Sequence, residues 1–346
     1  MLYENVELFN IEETEKYNGG VILKRYPDSA KQDMKDRAAW IADAAMGNEI
    51  RLVCEGQGFY LTIGAGSQDV KMYAMRGDYA EHCYHIKAGK KICLRFDNNN
   101  LFANICDDEI EKFDTRFSHN VWRFYFHSEG FAVFYDCRGF GGSIRPPKPC
   151  ELPKKTMLAY GSSITHWCYA IDSRNSYIQQ AARRLDMDVL NKGMAGACRL
   201  EYSIMEYFIS LDAWDIAFFE LGANVLDLYS VEEFRERAEY LIKNICFKKP
   251  DNPVFITGLF YGTMFLSRDK EQSEKTIQFE NVLKEIKDKY ELQNLIYVDG
   301  RNEIMDNASY LSFDLVHPSD YGHIRMGENL ACVIAKHSSE ALRIWT

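Results

Sequence analysis

No stretch of this 346-residue chain approaches the roughly 20 consecutive apolar residues that would cross a bilayer. Its first residues, Met1-Leu2-Tyr3-Glu4-Asn5-Val6-Glu7, carry acids where a secretory signal would be basic, and no long apolar core follows them. The chain therefore reads as cytoplasmic, with no membrane partner. An excess of positive charge is missing as well: 41 Lys and Arg against 51 Asp and Glu give a formal charge of -10. A phosphate backbone would be repelled overall, which disfavours nucleic acid. The ten cysteines are scattered singly with no CxxC pair, the pattern of reduced and mostly buried thiols. The eight histidines include no HExxH pattern, and no Walker-type or Rossmann glycine pattern occurs. No metal or other cofactor is expected. Proline is scarce, eight in all, and three of these crowd into Arg145-Pro146-Pro147-Lys148-Pro149-Cys150. That stretch is the best candidate for an interdomain linker.

What remains is a chain with 47% hydrophobic and 27% charged residues, enough to build substantial cores. Up to about residue 150 it is written in short aromatic and β-branched runs, at 49–54, 59–63, 70–75, 91–96 and 121–126. Turn residues such as Asp97-Asn98-Asn99-Asn100 separate them. Alternating apolar and polar positions favour antiparallel strands and a β-sandwich, with a helical piece around 29–45. After residue 150 the rhythm changes. Short apolar runs at 156–160, 189–191, 215–221, 254–260 and 295–298 alternate with helical spacing at 175–185, 200–209, 231–248, 270–290 and 319–337. This predicts an α/β domain, a parallel sheet with helices on both faces and its sites at the C-terminal ends of the strands. The expected boundaries are 1–150 and 151–346.

Chemistry concentrates in a few places. Near the C-terminus, Asp314-Leu315-Val316-His317-Pro318 sets an acid three residues before a His, so a turn would let Asp314 hold one ring nitrogen and leave the other as a base. A hydroxyl for that base to serve lies in Tyr160-Gly161-Ser162-Ser163-Ile164-Thr165, directly after the first apolar run of the second half. Either serine fits the residue pattern alone. Two further blocks, Asn191-Lys192-Gly193-Met194-Ala195-Gly196 and Gly222-Ala223-Asn224-Val225, follow the second and third runs. His323, in the last helical stretch, reads as a surface or capping residue.

With its four blocks in this order, the chain resembles the SGNH hydrolases, also called GDSL esterases and lipases, over about residues 154–340. The resemblance implies a three-layer α/β/α, flavodoxin-like hydrolase domain, with the sandwich ahead of it being jelly-roll-like. It implies Ser163 as nucleophile, His317 as base and Asp314 as its partner. The oxyanion donors would be the backbone N–H groups of Ser163 and Gly196 and the side-chain amide of Asn224. Two positions depart from the usual pattern, Ser162 and Val225, where acids are common. His166, Trp167 and Tyr261 are the candidates for a substrate pocket. Two-domain relatives with a sandwich ahead of the hydrolase include carbohydrate deacetylases and acyltransferase-like enzymes. The expectation is therefore a serine esterase acting on short acyl esters, acetyl above all, of a small molecule or oligosaccharide. The alternatives are acyl transfer or short-chain lipase activity on the same residues, and a non-catalytic carbohydrate-binding protein. The sandwich would serve as a wall of the site or as packing, and a homo-oligomer is left open.

Overall fold

The computed structural model describes residues 1–106, 109 and 116–338. Two units divide it: Met1–Asp28 with Ala42–Lys154, and Ser29–Ile41 with Lys155 onward. The last eight residues of the segment expected to end at 346 lie outside the described residues.

In the first unit the aromatic runs form β1 (Leu2–Tyr3), β2 (Val6–Phe9), β3 (Glu13–Tyr17), β4 (Gly20–Lys24), β5 (Glu49–Cys54), β6 (Gly58–Ala65), β7 (Val70–Arg76), β8 (Tyr79–Ile86), β9 (Lys91–Asp97), β10 (Val121–His127), β11 (Ala132–Phe140) and β12 (Ile144–Arg145). They pair antiparallel in two sheets, ordered β1-β2-β5-β10-β7-β8 with β12 beside β5, and β3-β4-β11-β6-β9. Alternate residues from the two sheets share one core: Leu8, Ile50, Leu52, Met72 and Phe124 from the first, and Phe59, Leu61, Ile63 and Phe134 from the second. This is the β-sandwich expected from the alternation. In β5 and β10 the opposite face is buried too. It is charged but internally matched, because Glu49 accepts from Arg51 at 2.7 Å and from Arg123 at 2.5 Å and 2.9 Å. The proline-rich stretch is held to this unit. Arg145 reaches Glu151 at 2.8 Å, and the Ser118 N–H donates to the Glu151 carbonyl.

The second unit receives all but the last residue of α1 (Arg37–Ala42) from the early chain, then runs β13 (Lys155–Tyr160), α2 (Ser163–His166), α3 (Tyr177–Arg184), β14 (Met187–Asn191), α4 (Tyr202–Ser210), β15 (Ile216–Glu220), α5 (Val231–Lys248), β16 (Val254–Thr257), α6 (Lys270–Tyr290), β17 (Leu295–Val298) and α7 (Asp320–His337). All strand pairs are parallel, in the order β14-β13-β15-β16-β17. That is the flavodoxin-like order, whose switch point lies at the C-terminal ends of β13 and β15. The strands are apolar on both faces because helices cover both. Ile178, Ala181 and Ala182 of α3, with Met326, Leu330 and Ile334 of α7, pack on Met157, Ala159, Phe218 and Phe255. On the other side, Phe208 of α4 packs against Tyr160 and Phe219, and Phe234 of α5 stacks on Phe279 of α6 at 4.2 Å. The fourth strand ends at Thr257, three residues short of the apolar run, and Leu259, Phe260, Gly262, Thr263 and Met264 of the loop that follows border a cleft.

The segment Ser29–Ile41 joins this unit for identifiable reasons. Ala38 and Ile41 are fully buried. At the start of α4, the Ser203 hydroxyl donates to the Ala30 carbonyl at 2.8 Å and the Ser203 N–H to Asp33 at 3.3 Å, and the Arg37 Nε–H donates to the Ala195 carbonyl at 3.2 Å.

Candidate active site

At the end of β13 the chain turns through Gly161 and Ser162 into α2. Ser162 caps that helical turn, accepting from the Ile164 N–H at 3.2 Å. The unexpected participant is Glu220, the last residue of β15, fully buried beneath this turn. Its Oε2 accepts from the Ser162 N–H (2.7 Å), the Ser162 hydroxyl (2.8 Å) and the Thr165 hydroxyl (2.9 Å). Since Thr165 gives its hydrogen to Glu220, the Tyr177 hydroxyl donates to Thr165 at 2.6 Å. Burial pushes the Glu220 carboxyl up to about 7, against the lowering effect of the bonds from Ser162 and Thr165. Gly161 must be glycine here. A Cβ at that position would collide with Thr165 Oγ1 and Glu220 Oε2. An acid is thus present under the serine turn, supplied by β15 instead of by the residue before Ser163.

Ser163, the first residue of α2, is half-buried. Its Oγ lies 2.7 Å from His317 Nε2, and His317 Nδ1 lies 2.7 Å from Asp314 Oδ2. The other carboxylate oxygen, Oδ1, accepts from the Ser312 hydroxyl (2.7 Å) and the N–H groups of Val316 (2.9 Å) and His317 (3.0 Å). That is an Asx-type turn, and it holds acid and imidazole on one side. Partial burial works to raise the Asp314 carboxyl, but these bonds outweigh it and hold the group well below the usual carboxylate range. An ionised Asp314 places the imidazole hydrogen on Nδ1, so Nε2 is the acceptor that faces Ser163. Tyr169 stacks on the imidazole at 5.0 Å, with an interplanar angle of 19°.

The two remaining blocks flank this triplet. After β14, the Asn191 side chain accepts from the Gly193 N–H at 2.9 Å and donates to the Thr165 carbonyl at 3.0 Å, tying the loop to α2. Gly196 sits at φ +68°, a conformation that disfavours a Cβ. After β15, Gly222 at φ +112° turns the chain toward Asn224, whose Oδ1 accepts from the Cys198 N–H at 3.0 Å. Asn224 Nδ2 is thereby oriented. Among the described residues no group accepts from the N–H of Ser163, the N–H of Gly196 or Asn224 Nδ2. Three donors are left for a ligand.

Ser163 and Asn224 line a cleft of about 50 Å³ together with the apolar side chains of Ile164, Leu259, Phe260, Met264 and Val316. His166, Trp167 and Tyr261 do not line it. One helical turn after Ser163, His166 points inward and is fully buried, beneath a point where a Gly193 Cβ would strike its backbone. Trp167 ends α2 at φ 141°, and Tyr261 packs on the core beneath its loop. Part of the apolar lining comes from Tyr261's neighbours. His323 also differs from its expected surface position. It is fully buried in α7, its Nε2 donates to the Cys168 carbonyl at 2.8 Å, and its Nδ1 accepts from the Tyr177 N–H at 3.3 Å. Burial pushes its ring down to about 4, so it stays neutral. The loop after β16 borders the cleft as its candidate Tyr261 suggested, though through the neighbours of that residue, whereas Glu220 was not foreseen. The signal for Glu220 was available: an acid ending the apolar run Ile216-Ala217-Phe218-Phe219, directly before Leu221-Gly222.

Among the described residues no helix is long and apolar enough to cross a membrane, and no group of three or more His, Cys, Asp or Glu is arranged to hold a metal ion.

The fold has counterparts. A salicylyl-acyltransferase from a tetracycline biosynthetic pathway superposes with a TM-score of 0.76 at 14% identity, over 98% of this chain and 97% of that one. A family two carbohydrate esterase from Clostridium thermocellum, in complex with cellohexaose, gives 0.59 at 16% identity, over 85% and 93%. An acetyl xylan esterase from the rumen bacterium Butyrivibrio proteoclasticus gives 0.58 at 10%, over 97% and 96%. At such identities the likeness is one of fold, sandwich and α/β domain together. No curated protein sequence matches the chain. Residues 154–335, which span the α/β domain from its first strand into its last helix, match the GDSL-like Lipase/Acylhydrolase family. That segment is more than half of the chain, which therefore belongs to this family of ester-hydrolysing enzymes.

Proposed function

We propose that the protein transfers a short acyl group from an ester to Ser163, and from there to water or an alcohol, using Ser163, His317 and Asp314. The observation that carries this reading is the unbroken chain of 2.7 Å contacts from Ser163 Oγ through His317 to Asp314. Ser163 Oγ attacks the ester carbonyl carbon while its proton passes to His317 Nε2, and Asp314 stabilises the imidazolium. The carbonyl oxygen becomes an oxyanion, met by the N–H groups of Ser163 and Gly196 and by Asn224 Nδ2. Collapse breaks the bond to the leaving alkoxide, which takes the proton from His317. Water or a second alcohol then attacks acyl-Ser163, again giving its proton to His317, and Ser163 is regenerated.

The cleft argues for a small acyl group. A cavity on the order of 150 Å³ accommodates benzene, whereas the cleft beside Ser163 has about 50 Å³. By that comparison an acetyl or propionyl group suits the cleft better than a benzoyl group. The acceptor divides the reading. Full-length likeness to an acyltransferase gives weight to an alcohol acceptor, and likeness to carbohydrate esterases gives weight to a saccharide as the alcohol. The test compares aryl acetate with aryl benzoate, with and without an alcohol acceptor such as a free sugar. The expected result is kcat/KM at least about tenfold higher for the acetate, a difference of about 1.4 kcal/mol. Equal or faster turnover of the benzoate would remove the short-acyl reading. Acylated sugar among the products would assign transfer, and free acetate alone would assign hydrolysis.

A further inference from the structure

We propose that Arg37, carried into the α/β unit by the early segment Ser29–Ile41, is a positioning residue that latches the Ala195–Gly196 peptide so that its N–H serves the oxyanion. The proposal rests on the reading of Gly196 as an oxyanion donor. The Arg37 Nε–H donates to the Ala195 carbonyl at 3.2 Å. In a planar trans peptide the carbonyl and the following N–H point in opposite directions, so a bond that fixes the Ala195 carbonyl also fixes the Gly196 N–H. That peptide needs fixing. Gly196 stands at φ +68°, and a glycine passes readily between positive and negative φ, so the peptide before it can turn over with little steric cost. Turned over, it would aim a carbonyl where the oxyanion forms. Nothing else among the described residues takes the Gly196 N–H, while Ala197 and Cys198 are already committed, to the Met194 carbonyl and to Asn224 Oδ1. The donor at Arg37 is also cationic. A charge-assisted bond to the carbonyl polarises the whole amide and makes its N–H a stronger donor.

The latch is itself held. The guanidinium lies 5.0 Å from the centre of the Trp40 ring, one turn further along α1. The segment is pinned at Ser203, through the Ala30 carbonyl and Asp33, immediately beyond the loop that carries Gly196. There is room for the arrangement, since a Cβ on Gly196 would lie 3.8 Å from Arg37 Nε. Arg37 touches neither the nucleophile nor the base. Its effect passes through one peptide group.

The test compares wild type with Arg37→Met, which keeps the apolar stem and removes the donor, and with Arg37→Lys, which restores a cationic donor. On a short-chain aryl acetate, Arg37→Met is expected to lose about tenfold to a hundredfold in kcat, part of the hundred- to thousandfold that one lost oxyanion donor costs. KM should stay within about threefold, because the interaction matters once the oxyanion forms. Arg37→Lys should recover most of the loss. If Arg37→Met fails to fold, Arg37→Gln takes its place, a neutral donor expected to lose about threefold to tenfold in kcat. Wild-type kcat in the folded Met or Gln variant, or a loss expressed wholly in KM, overturns the latch. Ser163→Ala, measured beside them, separates the two ideas: inactive Ser163→Ala with fully active Arg37→Met removes only the latch. An active Ser163→Ala removes the proposed function and the latch with it.

Discussion

Replacing Ser163 with Ala is expected to lower kcat for a short-chain aryl acetate by about four to six orders of magnitude, with KM within a few-fold of wild type. The size of the effect follows from what is lost and what stays. Without the Oγ there is no acyl-enzyme, and His317 has no hydroxyl 2.7 Å away to deprotonate. The three donors around the carbonyl remain, so residual turnover stays above the uncatalysed rate by the margin that oxyanion binding supplies alone. Ser162 cannot take over. Its hydroxyl donates to Glu220 and accepts from the Ile164 N–H, at the base of the turn, away from the imidazole. Steady-state kinetics of the purified variant check the prediction, and turnover within tenfold of wild type would sink it.

Glu220→Ala is expected to destabilise the α/β unit by about 3–5 kcal/mol, and Glu220→Gln by much less. The alanine variant leaves three donors on Ser162 and Thr165 without their shared acceptor and opens a void; each donor costs near the lower end of about 1–3 kcal/mol, because the two hydroxyls can rotate toward other acceptors. At about 2–4 °C per kcal/mol, a shift in Tm of roughly 6–20 °C follows. Glutamine keeps a carbonyl oxygen for the donors. It also removes a titration whose sign can be worked out. The Glu220 carboxyl stands at about 7 in the folded protein, against an ordinary value of 4.5. The folded state therefore keeps a proton that the unfolded chain gives up between pH 4.5 and 7. The stability this supplies is complete below about pH 4.5 and is lost as pH rises to about 7, on the order of 3 kcal/mol across the window. Relative to wild type, Glu220→Gln should gain stability as pH rises through that window. Thermal unfolding of both proteins from pH 4.5 to 7.5 checks this, and parallel pH profiles would contradict it.

Much of the fold was legible because both halves obey simple periodicities. Period-2 runs with aromatic residues became the sandwich, and apolar runs alternating with helical spacing became a parallel sheet whose α5 and α6 carry the expected bounds. The candidate site was legible wherever a residue type and a local turn define the chemistry, as at Asp314 and His317. It was not legible where partners lie far apart in sequence. Glu220 stands 58 residues from the serine it supports, and only the neighbouring positions of β13 and β15 in the sheet bring them together. Arg37 is 158 residues from the carbonyl it binds, and nothing in the local pattern of residues 29–45 says that this helix packs on the α/β unit. His166 was misplaced for a similar reason. It shares a helix face with the half-buried Ser163, and it is fully buried because the loop that carries Gly193 packs against it, which the local pattern does not show.

Ser163 is the group proposed to take the acyl chain, and a serine-directed fluorophosphonate tests that most directly, because its product does not turn over. Intact-mass and peptide-mass measurements should find one phosphonyl group per chain, on Ser163, with esterase activity falling in proportion to labelling and no labelling of Ser163→Ala. A label on another residue, or undiminished turnover in fully labelled protein, would contradict the account.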